Sequence, residues 1–498
     1  MASKSKKRLS VSAGYTVAQV LAGTILTATL FGFVTRAEGI EVLGLWSLLL
    51  SLGSISRLME MGLTGSITRF VATYTGRSMP VAATNVIGTA FVAVLVIMVV
   101  LMPLLYLCVS MFIHLIPGEM SESLLLSLFG YGLLGLALVS VSSILLSGLD
   151  GLECFAERTL IVIFGQCVMT IVSLILLPII GIFALIAGLV AQSLVTILLS
   201  IWRLCRSLNV NALFVAKFDL VIFKEIFSYG RTLLLTSLLM IFFEPVSKLL
   251  LLSFGGLGSV GYFEIANQIV QKIRSLFIAS SQVLVPRFAA FNLNKNNDDK
   301  GLYRKVFEMF LPLALTAFSI VFVSRDIFAL IFIGEISEMF NLILGVCCIA
   351  WGFNALSVPT YFYNIGVGKA KINFISFLMI SVLNVALGFS LGAVFGLHGA
   401  LFAYAFSLSV GTMYLLLNMQ KVIDKSDRFQ VSLSDLFLGF SLVLLISASS
   451  KISSFYYSLD LADLALVFLS TMFVLYMFMT NTNVKKTFDV LNIKMKLR

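Results

Sequence analysis

Continuous apolar runs of membrane-spanning length recur along this sequence and are separated by short polar loops. A helix of about 20 apolar residues crosses the hydrocarbon core of a bilayer. Only 12% of the residues are charged, which is about half the share found in soluble domains. The pattern predicts an all-α polytopic membrane protein with no extramembrane segment large enough for a catalytic domain.

The hydropathy pattern predicts about 14 transmembrane helices in two pseudo-symmetric six-helix lobes around a central cavity, followed by two further helices. The predicted spans are 14–34, 42–72, 82–107, 121–147, 159–180, 182–202, 230–253, 258–289, 306–332, 337–363, 372–394, 396–419, 434–450 and 460–480. The predicted organisation is a basic cytoplasmic N-terminus (1–13), a first lobe (14–202), a cytoplasmic linker (203–229), a second lobe (230–419), a cytoplasmic loop (420–433), two extra helices (434–480) and a basic cytoplasmic tail (481–498).

The distribution of positive charge predicts the orientation of the chain. If the N-terminus is cytoplasmic, only Arg36 and Lys451 of the 34 Lys and Arg residues fall in outside loops. Cytoplasmic loops of membrane proteins are enriched in these residues. We therefore expect both termini in the cytoplasm. The net charge of +10 follows from this topology and does not indicate a nucleic-acid partner.

An internal repeat relates the two halves of the chain. The stretch "GLWSLLLSLGSISR" (44–57) matches "GYFEIANQIVQKIR" (261–274) at a constant offset, and "GIFALIAGLVAQS" (181–193) is echoed by "GLHGALFAYAFSLS" (396–409). Each copy has six predicted spans, an even number, so both copies enter the membrane from the same side. The repeats are therefore predicted to be parallel and related by an axis along the membrane normal.

Two arginines occupy equivalent deep positions in this repeat. Arg57 lies about 15 residues into the second span, or about 22 Å along a helix, and Arg274 lies equally deep in the eighth. An ionisable group at such depth usually faces a bundle interior or a wet cavity. One interpretation is structural, since Glu60 lies three residues from Arg57 on the same helical face. The other is a cationic cavity that binds an anionic substrate, which Lys272 and Lys248 would join.

The acidic residues within the spans allow two roles. Glu244 and Lys248 are one helical turn apart, and mutual neutralisation is the favoured interpretation. Glu264 is a candidate for proton or cation coupling.

Among the cationic candidates, arginine rather than lysine suits phosphate oxygens, because its planar fork makes two parallel hydrogen bonds.

No pattern indicates hydrolytic, transfer or metal chemistry. The only histidines are His114 and His398, no phosphate-binding glycine loop of the Walker type occurs, and the six cysteines lack metal-type spacing. We therefore expect a protein that is not an enzyme and that has no cofactor and no metal site.

The second span resembles a family-specific pattern. A glycine–aromatic start leads to an acid-X-Gly-Leu turn and then an Arg-Phe pair, represented here by Glu60, Gly62, Leu63, Arg69 and Phe70. This pattern, the "GYFEIANQIV" and "GVGKAKINF" segments and the repeat resemble the polysaccharide-biosynthesis flippases (O-antigen or capsule repeat-unit flippases) of the multidrug/oligosaccharidyl-lipid/polysaccharide superfamily. Aspartate is the commoner residue where Glu60 stands. The similarity extends over nearly the whole chain.

The resemblance implies a flippase of the cytoplasmic (inner) membrane. Its substrate would be an undecaprenyl-diphosphate-linked oligosaccharide repeat unit, translocated by alternating access for O-antigen, capsule or exopolysaccharide biosynthesis. Membrane lipids, and polymerase or chain-length components of the surface-polysaccharide pathway, would be its partners. A cation-coupled small-molecule exporter and a lipid II flippase are the alternatives within the superfamily. A membrane enzyme or scaffold of the surface-polymer pathway is a further alternative.

Overall fold

The computed structural model describes residues 2–112, 122–208, 219–282, 288 and 298–422. Within these ranges the chain is helical and contains no β-strand. The helices are α1 (Ala2–Glu38), α2 (Ile40–Gly76), α3 (Pro80–Phe112), α4 (Glu122–Gly151), α5 (Phe155–Ile180), α6 (Phe183–Leu208), α7 (Leu220–Gln282), α8 (Asp298–Val323), α9 (Arg325–Phe332), α10 (Glu338–Ala355), α11 (Val358–Gly366) and α12 (Ala370–Val422).

Nine helical segments of the described part are long and apolar enough to cross a membrane. They are Ala18–Glu38, Pro80–Met111, Glu122–Gly151, Phe155–Ile180, Phe183–Leu208, Phe243–Ile278, Val306–Val323, Glu338–Gly366 and Lys371–Met419. The prediction of an all-α polytopic membrane protein is confirmed. The count of about 14 spans stays a prediction, and the predicted helices at 434–450 and 460–480 lie outside the described residues.

Spatial contacts divide the chain into two compact units. The first comprises the residues up to Glu264 together with Phe332–Gly334, and the second comprises Ile265–Ile331 with the residues from Glu335 onward. The predicted lobes 14–202 and 230–419 remain a prediction from the repeat, and residues 209–218 of the predicted linker are not described.

Small residues let the helices of the first unit approach closely. A Cβ added to Gly53 would overlap the side chain of Leu136 on α4, and one added to Gly151 would overlap Val71 on α2. In a membrane the hydrophobic effect does not drive helices together, so close packing at small residues takes its place. Many hydroxyl groups donate to a carbonyl of their own helix, as where Thr35 Oγ1 donates to the Phe31 carbonyl at 2.7 Å.

Buried polar contacts join the helices of the second unit. Asn354 on α10 donates to Thr412 Oγ1 on α12 at 2.9 Å, and Ser376 donates to the Gly411 carbonyl at 2.8 Å. Ser337 caps the start of α10 by accepting from the Phe340 N–H at 3.3 Å. These bonds fix the rotation of each helix about its axis.

Backbone geometry repeats at the equivalent turns of the two halves. The α1–α2 turn at Gly39 has φ 88° and ψ 166°, and α7 breaks at Gly256 with φ 74° and ψ 179°. The α5–α6 turn at Gly181 has φ 55° and ψ −138°, and α12 breaks at Gly396 with φ 59° and ψ −140°. Glycine readily adopts these positive-φ conformations. The breaks define α7a (220–255), α7b (257–282), α12a (370–395) and α12b (397–422).

A reciprocal contact joins α2 and α7b just beyond the first pair of turns. A Cβ added to Gly44 would collide with the Leu257 carbonyl oxygen, and one added to Gly261 would collide with the Ile40 carbonyl oxygen. Ile40 and Leu257 are equivalent in the repeat, as are Gly44 and Gly261. A contact in which each partner presents the same surface implies a local two-fold axis. The repeat inferred from sequence therefore appears here as a symmetric helix crossing.

The crossing predicts that Gly44→Ala and Gly261→Ala destabilise the protein to a similar extent. Each added methyl group must push a backbone carbonyl away, and such overpacking costs about 1–3 kcal/mol of unfolding free energy. Thermal unfolding of the purified protein in detergent measures the effect. Gly76→Ala is the matched control, since nothing lies within 4 Å of a Cβ added there. Equal stability of all three variants would contradict the close crossing.

Candidate functional site

The candidates predicted on the second span lie on α2. The backbone of Arg57 and Glu60 is helical, but their side chains lie outside what the structure describes. The pairing of Arg57 with Glu60 and the role of Arg57 in substrate binding therefore stay predictions.

Lys248 on α7a lies at the centre of a buried ionic network. Its Nζ lies 2.7 Å from Glu264 Oε2 and 2.8 Å from Glu244 Oε1, and it approaches the Ser47 carbonyl oxygen at 3.4 Å. The side chains of Lys248 and Glu264 are 1% and 2% exposed, whereas that of Glu244 is 41% exposed. The structure thus shows the ion pair favoured by the spacing of Glu244 and Lys248, and adds the more deeply buried pair with Glu264.

Ser47 connects this network to α2. Its Oγ donates a hydrogen bond to Glu264 Oε2 at 2.6 Å, and its carbonyl accepts one from Ser51 Oγ at 2.8 Å. Ser47 and Glu264 are equivalent residues of the repeat, one turn beyond Gly44 and Gly261. Each lies eight residues after its turn glycine, or about 12 Å along the helix. The network therefore lies below the membrane face formed by the turns at Gly39 and Gly256.

The charges of the network decide what it can do. One ammonium faces two carboxylates, so its formal charge is −1 when all three groups are ionised. In this arrangement Lys248 is held by oxygens of the chain itself. Burial of unpaired charge in a membrane is costly, and the carboxylates remove that cost for the ammonium. The proposed role of Lys248 in binding an anion would require it to leave Glu264.

Arg274 on α7b, in the second unit, has a different environment. Its Cζ lies 4.6 Å from the ring centroid of Trp351 on α10, and its charge interacts electrostatically with Tyr361 and Tyr404. Its Nε is buried and has no hydrogen-bond partner, and the guanidinium forms no ion pair with the residues that the structure describes. A cation held against aromatic faces keeps its charge and donors available.

Trp351 and Tyr404 are site residues that sequence reasoning missed. Trp351 Nε1 donates to Tyr404 Oη at 2.6 Å, so the indole that faces Arg274 is fixed in orientation. Both lie within apolar runs, where an aromatic residue gives no signal of its own. Only the tertiary contact with an arginine distinguishes them.

Lys272, the remaining cationic candidate, is half-buried and lies two positions before Arg274 on α7b. Its ammonium forms no ion pair with any carboxylate of the described ranges. Lys272 and Arg274 are separated by two residues on one helix, so they point to different sides of α7b. The grouping of the four cationic candidates in one cavity stays a prediction, since the side chain of Arg57 is not described.

Comparisons with known proteins identify the type of molecule. Residues 11–292 match the sequence model of the family described as "Polysaccharide biosynthesis protein". No curated protein sequence gives a significant match to this chain. The match confirms the family resemblance indicated by the sequence.

Two solved structures have the same fold. The lipid II flippase MurJ, in an inward closed conformation, matches 94% of this chain and 98% of its own at 14% identity and a TM-score of 0.68. A multidrug resistance transporter of the MATE family of the MOP superfamily, in an inward-facing conformation, matches 82% of this chain and 98% of its own at 15% identity and a TM-score of 0.67. The chain therefore has the fold of a polytopic MOP transporter.

The ionic network predicts that Lys248→Met destabilises the protein more than the double variant Lys248→Met/Glu264→Gln. The single change leaves a buried carboxylate without its closest counter-charge, and removal of one partner from a buried pair costs about 3–5 kcal/mol. The double change removes both charges. Thermal unfolding compares the variants, with the exposed Lys224→Met on the same helix as control. A single variant as stable as the double one would show that the Lys248–Glu264 pair does not hold this site.

Proposed function

Because the chain belongs to the polysaccharide biosynthesis protein family, we propose that it is a flippase for an undecaprenyl-diphosphate-linked oligosaccharide repeat unit. It acts in the cytoplasmic (inner) membrane, with both termini in the cytoplasm. It moves the sugar-pyrophosphate head group across the membrane by alternating access, while the lipid tail stays in the bilayer. The translocated unit serves O-antigen, capsule or exopolysaccharide biosynthesis, and the chain transports it without enzymatic chemistry.

The observation that carries this proposal is the state of Arg274. Within a membrane-spanning segment, the guanidinium forms no ion pair with the described residues, and its buried Nε has no hydrogen-bond partner among them. Such a group is costly in a membrane and normally marks a substrate or ion pathway. A diphosphate supplies the missing acceptor oxygens in a geometry that matches the planar fork of arginine. Arg57, its equivalent in the repeat, would provide a second contact.

The surroundings of Arg274 also suit a glycosylated substrate. The ring of Trp351 faces the guanidinium, and Tyr361 and Tyr404 interact with its charge electrostatically. Aromatic faces with polar edges provide both apolar contact and hydrogen bonding. The substrate of the structurally similar lipid II flippase is named as a lipid, which supports a lipid-linked substrate here.

A small-molecule exporter is the second candidate. The similarity to a multidrug resistance transporter and the buried carboxylate of Glu264 support it, since a carboxylate could bind a coupling cation. Overexpression should then raise resistance to cationic dyes, whereas a dedicated flippase leaves dye resistance unchanged. The same strains report both outcomes.

We expect Arg274→Ala and Arg57→Ala to reduce production of the surface polymer in a deletion strain. The loss should be about tenfold or more, since a hydrogen bond to a charged group contributes about 1.5–3 kcal/mol. The lipid-linked unit should accumulate in the membrane, and lysine at either position should restore polymer only partly. Immunoblots of the membrane fraction check protein abundance, with the exposed Arg77→Ala as control. Full polymer from both variants would refute the role of these arginines.

Trp351 should act through Arg274. Trp351→Ala removes a cation–π contact worth about 0.5–2 kcal/mol and should lower polymer production, while Trp351→Phe retains most of it. In an Arg274→Ala background the effect of Trp351→Ala on transport should disappear, as a double-mutant cycle would show. Independent, additive losses would indicate that Trp351 contributes only to packing.

A further inference from the structure

The α2–α7b crossing and the ionic network form one continuous structure. The reciprocal glycine contact lies at Gly44 and Gly261, next to the turns at Gly39 and Gly256. One turn deeper, Ser47 bonds Glu264 across the same two helices. Glycine backbone contacts and a polar bond to Glu264 therefore both hold α2 and α7b together at this end. A backbone contact has no directional bond to break, so the polar bonds provide the specific hold.

The ammonium of Lys248 occupies the position of a bound cation. Oxygens from all three packed segments surround it, namely Glu264 Oε2 on α7b at 2.7 Å, Glu244 Oε1 on α7a at 2.8 Å and the Ser47 carbonyl on α2 at 3.4 Å. Among the described residues, these are the ionisable and carbonyl groups that face the Lys248 ammonium. Carboxylate and carbonyl oxygens are also the ligands that hard metal cations prefer. A tethered ammonium fills this oxygen shell permanently.

We propose that the α2–α7b crossing is a gate at this membrane face and that it is held shut by a monovalent-cation site which Lys248 fills with its own ammonium. Opening separates α2 from α7b, which breaks the Ser47–Glu264 bond and removes the Ser47 carbonyl from the ammonium. Lys248 keeps Glu244 as a partner throughout, because both lie one turn apart on α7a. The ammonium is thus never left without a counter-charge.

As long as Lys248 is present, this end of the protein closes without an external coupling ion. Without the lysine, the two carboxylates of the oxygen shell lose the ammonium that lies between them. Their repulsion weakens the crossing until a small cation enters. The inference rests on the transporter activity of the proposed function but not on the identity of its substrate.

Cysteine labelling tests the gate without any substrate. Ser51→Cys, one turn deeper than Ser47 on α2, is introduced into the full chain from which the six native cysteines have been removed. Right-side-out and inside-out vesicles are treated with a membrane-impermeant maleimide. We expect slow labelling of Cys-substituted Ser51 from the face of the Gly39 and Gly256 turns in the parent. Lys248→Ala should raise the rate several-fold, and methylammonium or sodium should return it to the parental rate.

Two further variants keep this test decisive. Glu264→Gln removes the acceptor charge but keeps its shape, so labelling should rise and added cations should not reverse it. Lys224→Ala, at an exposed position of α7a, should behave as the parent with or without methylammonium. An unchanged labelling rate in both Lys248→Ala and Glu264→Gln would refute the gate. A raised rate in Lys248→Ala that neither cation lowers would refute the cation site.

A disulfide tests whether the crossing must open. A Cβ at Gly258 would lie 3.7 Å from Ile40 Cγ2, so side chains at the two positions are in contact and cysteines there are candidates for a disulfide. Oxidation of the Ile40→Cys/Gly258→Cys variant should stop polymer export and suppress the labelling caused by Lys248→Ala, and reduction should restore both. The single variant Ile40→Cys is the control. Undiminished export by the cross-linked protein would overturn the gate. If labelling responds to Lys248→Ala and to cations as expected, but deletion of this chain leaves polymer production unchanged, only the proposed substrate is overturned.

Discussion

The close approach of two backbones at Gly44 and Gly261 is the constraint on which the first unit depends. Neither position has room for a methyl group, because the carbonyl oxygens of Leu257 and Ile40 lie against them. Lipid provides no hydrophobic force between helices, so this contact relies on dispersion and close fit. One turn deeper, the same two helices bring a serine hydroxyl to 2.6 Å from a glutamate of the other helix.

Two buried cations in this protein are stabilised in different ways. Lys248 forms salt bridges with two carboxylates, so its charge is neutralised within the protein. Arg274 lies against the ring of Trp351 and interacts electrostatically with Tyr361 and Tyr404, which stabilise a cation without neutralising it. The first arrangement suits a structural bond that can be broken and reformed. The second suits a group that must attract an anion. The two cations therefore differ in their partners and not in their charge: Lys248 suits a bond that holds the gate, and Arg274 suits a contact with substrate.

Much of the fold could be predicted from the sequence, because membrane helices reveal themselves by length and apolarity. The repeat was also readable, and the matched conformations of Gly39 with Gly256 and of Gly181 with Gly396 agree with it. The i, i+4 spacing indicated the Glu244–Lys248 pair. By contrast, the bond of Ser47 to Glu264 and the contact of Trp351 with Arg274 join residues hundreds of positions or many tens of positions apart. Local spacing carries no information about such pairs, and an isolated serine or tryptophan in an apolar run has no distinguishing pattern.

The repeat supplies a symmetric framework, but the charges on it are asymmetric. At the crossing, Glu264 faces Ser47, its own equivalent; a glutamate at both positions would place two carboxylates together below the membrane face. Lys248 and its partner Glu244 lie on α7a, whereas α1, the equivalent helix, has no charged residue between Arg8 and Arg36. Symmetry explains why the two helices can cross so closely, since one glycine contact solves both sides. Asymmetry explains how the crossing can be controlled, because a single lysine and its carboxylates, present in one copy only, decide whether the symmetric contact holds.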